Sequence, residues 1–82
     1  MQLEVLTPDK NLFSGEVEAV NLPGTKGAFE ILNNHAPIIS SLNEGTLTYK
    51  TGEGQKAINI KSGFVECLNN RVVVLVEGGE SV

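Results

Sequence analysis

Apolar and polar residues alternate along almost the whole chain. Leu3 and Val5 alternate with Gln2 and Glu4, Leu47 and Tyr49 with Thr46, Thr48 and Lys50, and Ile58 and Ile60 with Asn59 and Lys61. A period of two puts successive side chains on opposite faces of an extended backbone, so each stretch predicts a half-buried strand. Turn-forming residues punctuate these stretches at Pro8-Asp9, Ser14-Gly15, Pro23-Gly24, Asn33-Asn34, Glu44-Gly45, Gly52-Glu53-Gly54, Ser62-Gly63 and Asn69-Asn70. Strands of about five residues joined by tight turns build an all-β antiparallel sandwich or barrel. No window repeats apolar residues at helical spacing for more than a turn, and nine glycines break most candidates, so little or no helix is expected.

The clearest hairpin is "ECLNNRVVVLVEG". Asn69 and Asn70 tolerate positive φ, as a two-residue type I′ turn requires, and they join strands expected over residues 64–68 and 71–76. The second of these strands is apolar on both faces. It is therefore expected to be central and covered on both sides, with Val72, Val74 and Val76 forming one wall of the core. The closing "EGGESV" is expected to fray.

Eighty-two residues make a single domain. Such a domain buries only roughly 60 to 65% of its unfolded surface, and its stability of order 5 kcal/mol favours a task in which a partner adds more. Six basic against ten acidic residues give a net charge of −4, with no Lys/Arg cluster. Nucleic acid is not expected as a ligand on that balance. One cysteine, Cys67, cannot form an intramolecular disulfide, which points to a reducing compartment. The first residues, "MQLEVLTPDK", have neither the basic nor the apolar region of a signal peptide, and "VVVLV" falls far short of the about 18 residues of a membrane span. Any membrane is expected to be reached through a partner.

The candidate chemistry is sparse. His35 is the single histidine, Cys67 the single thiol and Asp9 the single aspartate. A catalytic histidine needs a group to activate or to be oriented by, and a tetrahedral metal site needs more than one His and one Cys, so His35 is expected to be structural or interfacial. Cys67 alternates with Glu66 and reads as an inward apolar side chain. "PGTKG" has the glycines and lysine of a phosphate loop without its spacing or its helix, and is a turn. Glu16, Glu18, Glu66 and Glu77 read as a solvated strand face. No catalytic residue, metal or cofactor is expected.

A more specific pattern spans "LFSGEVEAVNLPGTKGAFEILNNHAPIISSLNEGTL": Phe13-Ser14-Gly15, Val17 and Val20, Pro23-Gly24, Gly27, Ile31-Leu32, His35-Ala36-Pro37 and Gly45, continued by "INIKSGFVECLNNRVVVLVE". It resembles the amino-terminal domain of the epsilon subunit of the bacterial and chloroplast rotary ATP synthase, the delta subunit in mitochondria. The resemblance covers nearly the whole chain. It implies a flattened antiparallel β-sandwich of about ten short strands, a non-catalytic piece of the central stalk that couples rotation of the c ring to the gamma shaft. It places the chain peripherally on the cytoplasmic face of the bacterial plasma membrane, a monomer when isolated and without direct membrane insertion.

By the same resemblance Thr25, Lys26, Gly27, Ala28, Phe29 and Glu30 meet the c ring, with Gly27 in a conformation that a β-carbon would strain. Thr7, His35 and Ser40 lie towards gamma. Asn33-Asn34 stand where many members have Pro-Gly, and can still turn. Ala28 stands where some relatives carry an acidic residue, with Glu30 two positions on and on the same side of the strand. Relatives continue into a carboxy-terminal helical hairpin; the sequence stops at Val82, so that hairpin, and inhibition by its extension, are expected to be absent. The alternative class is a small-ligand-binding β-sandwich, which would need exposed aromatics among Phe13, Phe29, Tyr49 and Phe64. A cysteine-dependent enzyme would need a reactive Cys67.

Overall fold

A computed structural model describes residues 1–81. The strands are β1 (Gln2–Leu6), β2 (Asn11–Glu16), β3 (Ala19–Leu22), β4 (Phe29–Leu32), β5 (Ile38–Leu42), β6 (Gly45–Thr51), β7 (Gly54–Ile60), β8 (Ser62–Leu68), β9 (Arg71–Glu77) and β10 (Glu80–Ser81). Among the described residues there is no helix. Two five-stranded sheets form, ordered β2-β1-β9-β8-β5 and β10-β7-β6-β3-β4. Their inner faces meet over one core, and the principal extents of 28 × 27 × 21 Å describe a flattened body. The all-β sandwich expected from the alternation is thus present.

The core is made by the alternation itself. Leu3, Val5, Val65, Cys67, Val72 and Val74 are buried on the first sheet, and Val20, Leu22, Ile31, Leu47 and Ile58 face them from the second. Tyr49 closes one side, its ring 4.3 Å from that of Phe13.

Three local expectations change. β1 runs parallel to β9, with Leu3 opposite Val72 and Val5 opposite Val74, whereas the other neighbouring pairs are antiparallel. A parallel pair is never joined by a tight turn, so no local signal announces it. Ser14 and Gly15 lie inside β2 opposite Glu4 and Leu3, and Ser62 and Gly63 begin β8. Ladder pairing there outweighs the turn preference of the residues. Glu80 and Ser81 pair with Asn59 and Ile58 instead of fraying; the same expectation for Val82 falls outside the described residues.

The connections gather at two opposite ends. At one end Asn43 N donates to the Pro23 carbonyl (2.8 Å), Thr25 N to the Ser41 carbonyl (3.0 Å) and Lys61 N to the Glu77 carbonyl (3.0 Å). At the other end Val17 N donates to the Met1 carbonyl (2.9 Å), Gln2 N to the Asn70 carbonyl (3.1 Å), and Asn34 N to Asn70 Oδ1 (2.8 Å).

At Gly63 the backbone of β9 leaves no room for a side chain on β8. A β-carbon there would stand 2.5 Å from the Leu75 carbonyl oxygen, a backbone atom held in the ladder, whereas one on Gly52 would meet nothing within 4 Å. Gly63→Ala is expected to lower the unfolding free energy by about 1 to 3 kcal/mol and Gly52→Ala to leave it nearly unchanged, as read by urea denaturation.

Candidate functional site

The site is built by the turn at Asn69 and Asn70, which hold φ values of 52° and 61°. A two-residue turn pairs the residues that flank it, so Leu68 faces Arg71, Glu66 faces Val73 and Phe64 faces Leu75. Cross-strand partners share a sheet face. With Val72, Val74 and Val76 directed into the core, Val73 and Leu75 must point outward, and so must Phe64, Glu66 and Leu68.

This corrects the expectation for β9. It is the middle strand of its sheet, but only one face is covered by this chain. Among the described residues, four of the five large exposed apolar side chains stand on the other face: Ile39 (74% exposed), Phe64 (62%), Leu75 (53%) and Leu68 (49%). The fifth, Leu32, ends β4 of the second sheet. Ile39 is the β5 partner of Glu66, and Leu6 the β1 partner of Leu75, so the strip crosses four strands. A depression of about 530 Å³ lies at one end of it, with Leu6, Thr7, Pro8, Ser41, Phe64 and Leu75 among its walls. Contiguous exposed apolar surface of this kind, trimmed with charge, marks a site of association.

The charged trim is mostly paired. Glu4 accepts a hydrogen bond from the Arg71 guanidinium, Glu16 pairs with the Met1 amine at 2.8 Å, and Glu77 accepts from Ser62 Oγ at 3.0 Å. Glu66, which stands among the apolar side chains and not in this trim, has no such partner among the described residues.

The residues singled out in the sequence fall into separate places. Thr25, Lys26, Gly27 and Ala28 form the exposed β3–β4 loop, with Phe29 half-buried and Glu30 exposed at the start of β4. Thr25 and Ser41 hydroxyls share a hydrogen bond of 2.8 Å, Gly27 N donates to the Gly24 carbonyl at 3.0 Å, and Gly27 holds φ 127° as expected of it. Thr7 caps the β1–β2 turn by accepting from Lys10 N at 2.9 Å, and lies at the same end as that loop. His35 lies at the opposite end, beside the β8–β9 turn, its Nδ1 2.7 Å from the Ala36 carbonyl. Ser40 pairs with Val65 on the inward side of edge strand β5, and its hydroxyl donates to the Ser41 carbonyl at 3.0 Å. Thr7, His35 and Ser40 therefore form no cluster. Alternation within single strands does not single out the apolar residues of the outer face, where Phe64 stands exposed.

Cys67 is buried, and burial pushes its thiol up from the ordinary value of 9.0. Among the described residues no three His, Cys, Asp or Glu side chains stand close enough to hold a metal. Phe64 is the one aromatic ring among the large exposed apolar side chains, where a stacking site for a small ligand would need several.

The described residues form a two-sheet β-sandwich that leaves one apolar sheet face exposed. It belongs to the family of the ATP synthase delta/epsilon chain β-sandwich domain, whose model matches residues 1–82. The chain is similar to the ATP synthase epsilon chain of Nitratidesulfovibrio vulgaris, 44% identical over 80 residues that cover 98% of this chain and 60% of the relative. It is also similar to that of Leptospira borgpetersenii, 39% identical over 79 residues, 96% of this chain and 62% of the relative. The chain thus spans about three fifths of the length of these relatives. Its fold matches a chain in the central stalk and c-ring structure of the Tetrahymena thermophila mitochondrial ATP synthase, with a TM-score of 0.82 at 14% identity, covering 96% of this chain and 64% of that one.

Burial sets one pH dependence. Desolvation raises both Tyr49 and Cys67 from their ordinary values of 10.0 and 9.0. The unfolded chain then loses these protons first as pH rises, so it binds fewer protons than the native state and stability falls. Unfolding midpoints are expected to be insensitive to these two groups below pH 9.0 and to drop above it, with Cys67→Ala reducing the drop. A midpoint that rises between neutral pH and strong alkali would contradict this assignment.

Proposed function

We propose that this chain is the β-sandwich of a non-catalytic rotor subunit in an ion-translocating ATP synthase, joining the gamma shaft to the ring of c subunits. The observation that carries the reading is the uncovered apolar face of β5, β8 and β9 in a member of this family. Residues Ile39, Phe64, Leu68 and Leu75 lose their exposure against gamma, with His35 at one end of that face and Thr7 at the other. Ser40 supports the face from behind through its bond to the Ser41 carbonyl.

The ring contact is assigned to Thr25, Lys26, Gly27, Ala28, Phe29 and Glu30, a polar loop anchored to β5 by Thr25 and Ser41. Coupling then rests on stiffness. A torque applied to this loop passes into β5 and across the β5-β8-β9 ladder to the gamma-facing side chains, and a hydrogen-bonded sheet closed over a packed core deforms little. ATP chemistry belongs to other subunits in this reading. The location that follows is peripheral, on the cytoplasmic face of the membrane that carries the complex.

Two substitutions separate the contacts. Phe64→Asp with Leu75→Asp places charge on an exposed face, so folding is expected to survive while affinity for the gamma subunit falls at least about tenfold; unchanged affinity would refute the assignment of this face. Gly27→Val forces a β-branched residue to φ 127° in the exposed loop. It is expected to impair ion-driven ATP synthesis in membranes while sparing hydrolysis by the detached catalytic head, and equal loss of both would indicate misfolding instead.

A further inference from the structure

Glu66 is anomalous among the carboxylates of this surface. Its cross-strand neighbours on the outer face are Ile39 of β5 and Val73 of β9, and its same-face neighbours along β8 are Phe64 and Leu68. Each lies within about 7 Å along or across the sheet. A carboxylate is thus set in the middle of the apolar strip, not at its rim. The nearest candidate cation on this face, Arg71, stands opposite Leu68 and is engaged with Glu4 on the far side of β9. Among the described residues Glu66 has neither an ion pair nor a side-chain hydrogen bond.

In the free domain water solvates this group. Docking removes that water, because Ile39, Phe64, Leu68 and Val73 surround it on all four sides and a partner that covers them covers it as well. A carboxylate buried in such a place without a counter-charge opposes association strongly. We infer that Glu66 selects its partner: the surface that seats on this face carries a cation, an arginine guanidinium, aimed at Glu66 from between apolar side chains. Arginine fits better than lysine on two counts. Its planar fork meets a carboxylate through two parallel hydrogen bonds, and its weakly hydrated face stacks on an aromatic ring such as the neighbouring Phe64. The same carboxylate repels apolar or acidic surfaces, this chain's own acidic face included, so the exposed strip does not pair with a second copy.

The inference rests on the proposed docking of gamma at this face, and its test separates the two. The dissociation constant of the subunit for the gamma subunit of the same synthase is measured over a range of salt for the wild type, Glu66→Gln, Arg71→Gln and Phe64→Ala. Glu66→Gln keeps the shape and one accepting oxygen while removing the charge and the second acceptor, so it is expected to weaken binding roughly 30-fold or more and to flatten the salt dependence. Arg71→Gln is expected to change affinity no more than about twofold, as for a rim charge. If Glu66→Gln binds as tightly as the wild type while Phe64→Ala is weakened, the face is right and the role of Glu66 is wrong. If Arg71→Gln matches the loss in Glu66→Gln, the counter-ion is internal and the inference is overturned. If none of the variants is weakened, the docking assignment itself fails, and this inference with it.

Discussion

The two-residue turn at Asn69 and Asn70 sets the register on which the rest of the molecule depends. Because Leu68 must face Arg71, the β8 and β9 side chains sort into an inward row that joins the core and an outward row that stays in contact with solvent. β9 then carries that choice to β1 through the parallel ladder, and β8 carries it to β5. A slip of β9 by one residue would turn Val72, Val74 and Val76 outward and bring Arg71 and Glu77 towards the core, which the cost of burying unpaired charge opposes. The exposed apolar face and the core that stabilises the domain are thus two sides of a single constraint.

That constraint leaves an acidic domain with a large apolar strip, a combination that would invite self-association. Several features oppose it. The net charge of −4 is spread around the surface, and Glu4, Glu66 and Glu77 interrupt or edge the strip on the same sheet face. Carboxylates placed this way disfavour an acidic copy of the same chain and favour a partner that brings positive charge. A domain of this size has little stability to spare, so burying Phe64, Leu75 and Ile39 against a partner also adds to the stability of the fold.

Much of the fold was legible because alternation reports directly on faces. Leu47 and Tyr49, Ile58 and Ile60, and Leu3 and Val5 all point inward as their spacing requires, and the asparagine turn takes the positive φ values its residues allow. The β1–β9 pairing was not legible, since nothing local encodes contact between strands at opposite ends of the chain. The run "VVVLV" misled for a different reason. Apolar residues on both faces of a strand read as cover on both, without distinguishing cover supplied by this chain from cover supplied by another or from no cover at all. Once the hairpin register is drawn, Phe64, Leu68 and Leu75 are forced outward, so the sequence held that signal. The scatter of Thr7, His35 and Ser40 over two ends and an inward edge could be seen only in three dimensions.

The central claim is that the outer face of β5, β8 and β9 is the surface that gamma covers. An electron cryo-microscopy map of the assembled synthase containing this subunit tests it most directly. The account predicts that gamma density lies against Ile39, Phe64 and Leu75 while the loop carrying Gly27 approaches the c ring. A map in which that apolar face looks onto solvent, with gamma held by the opposite sheet, would contradict it.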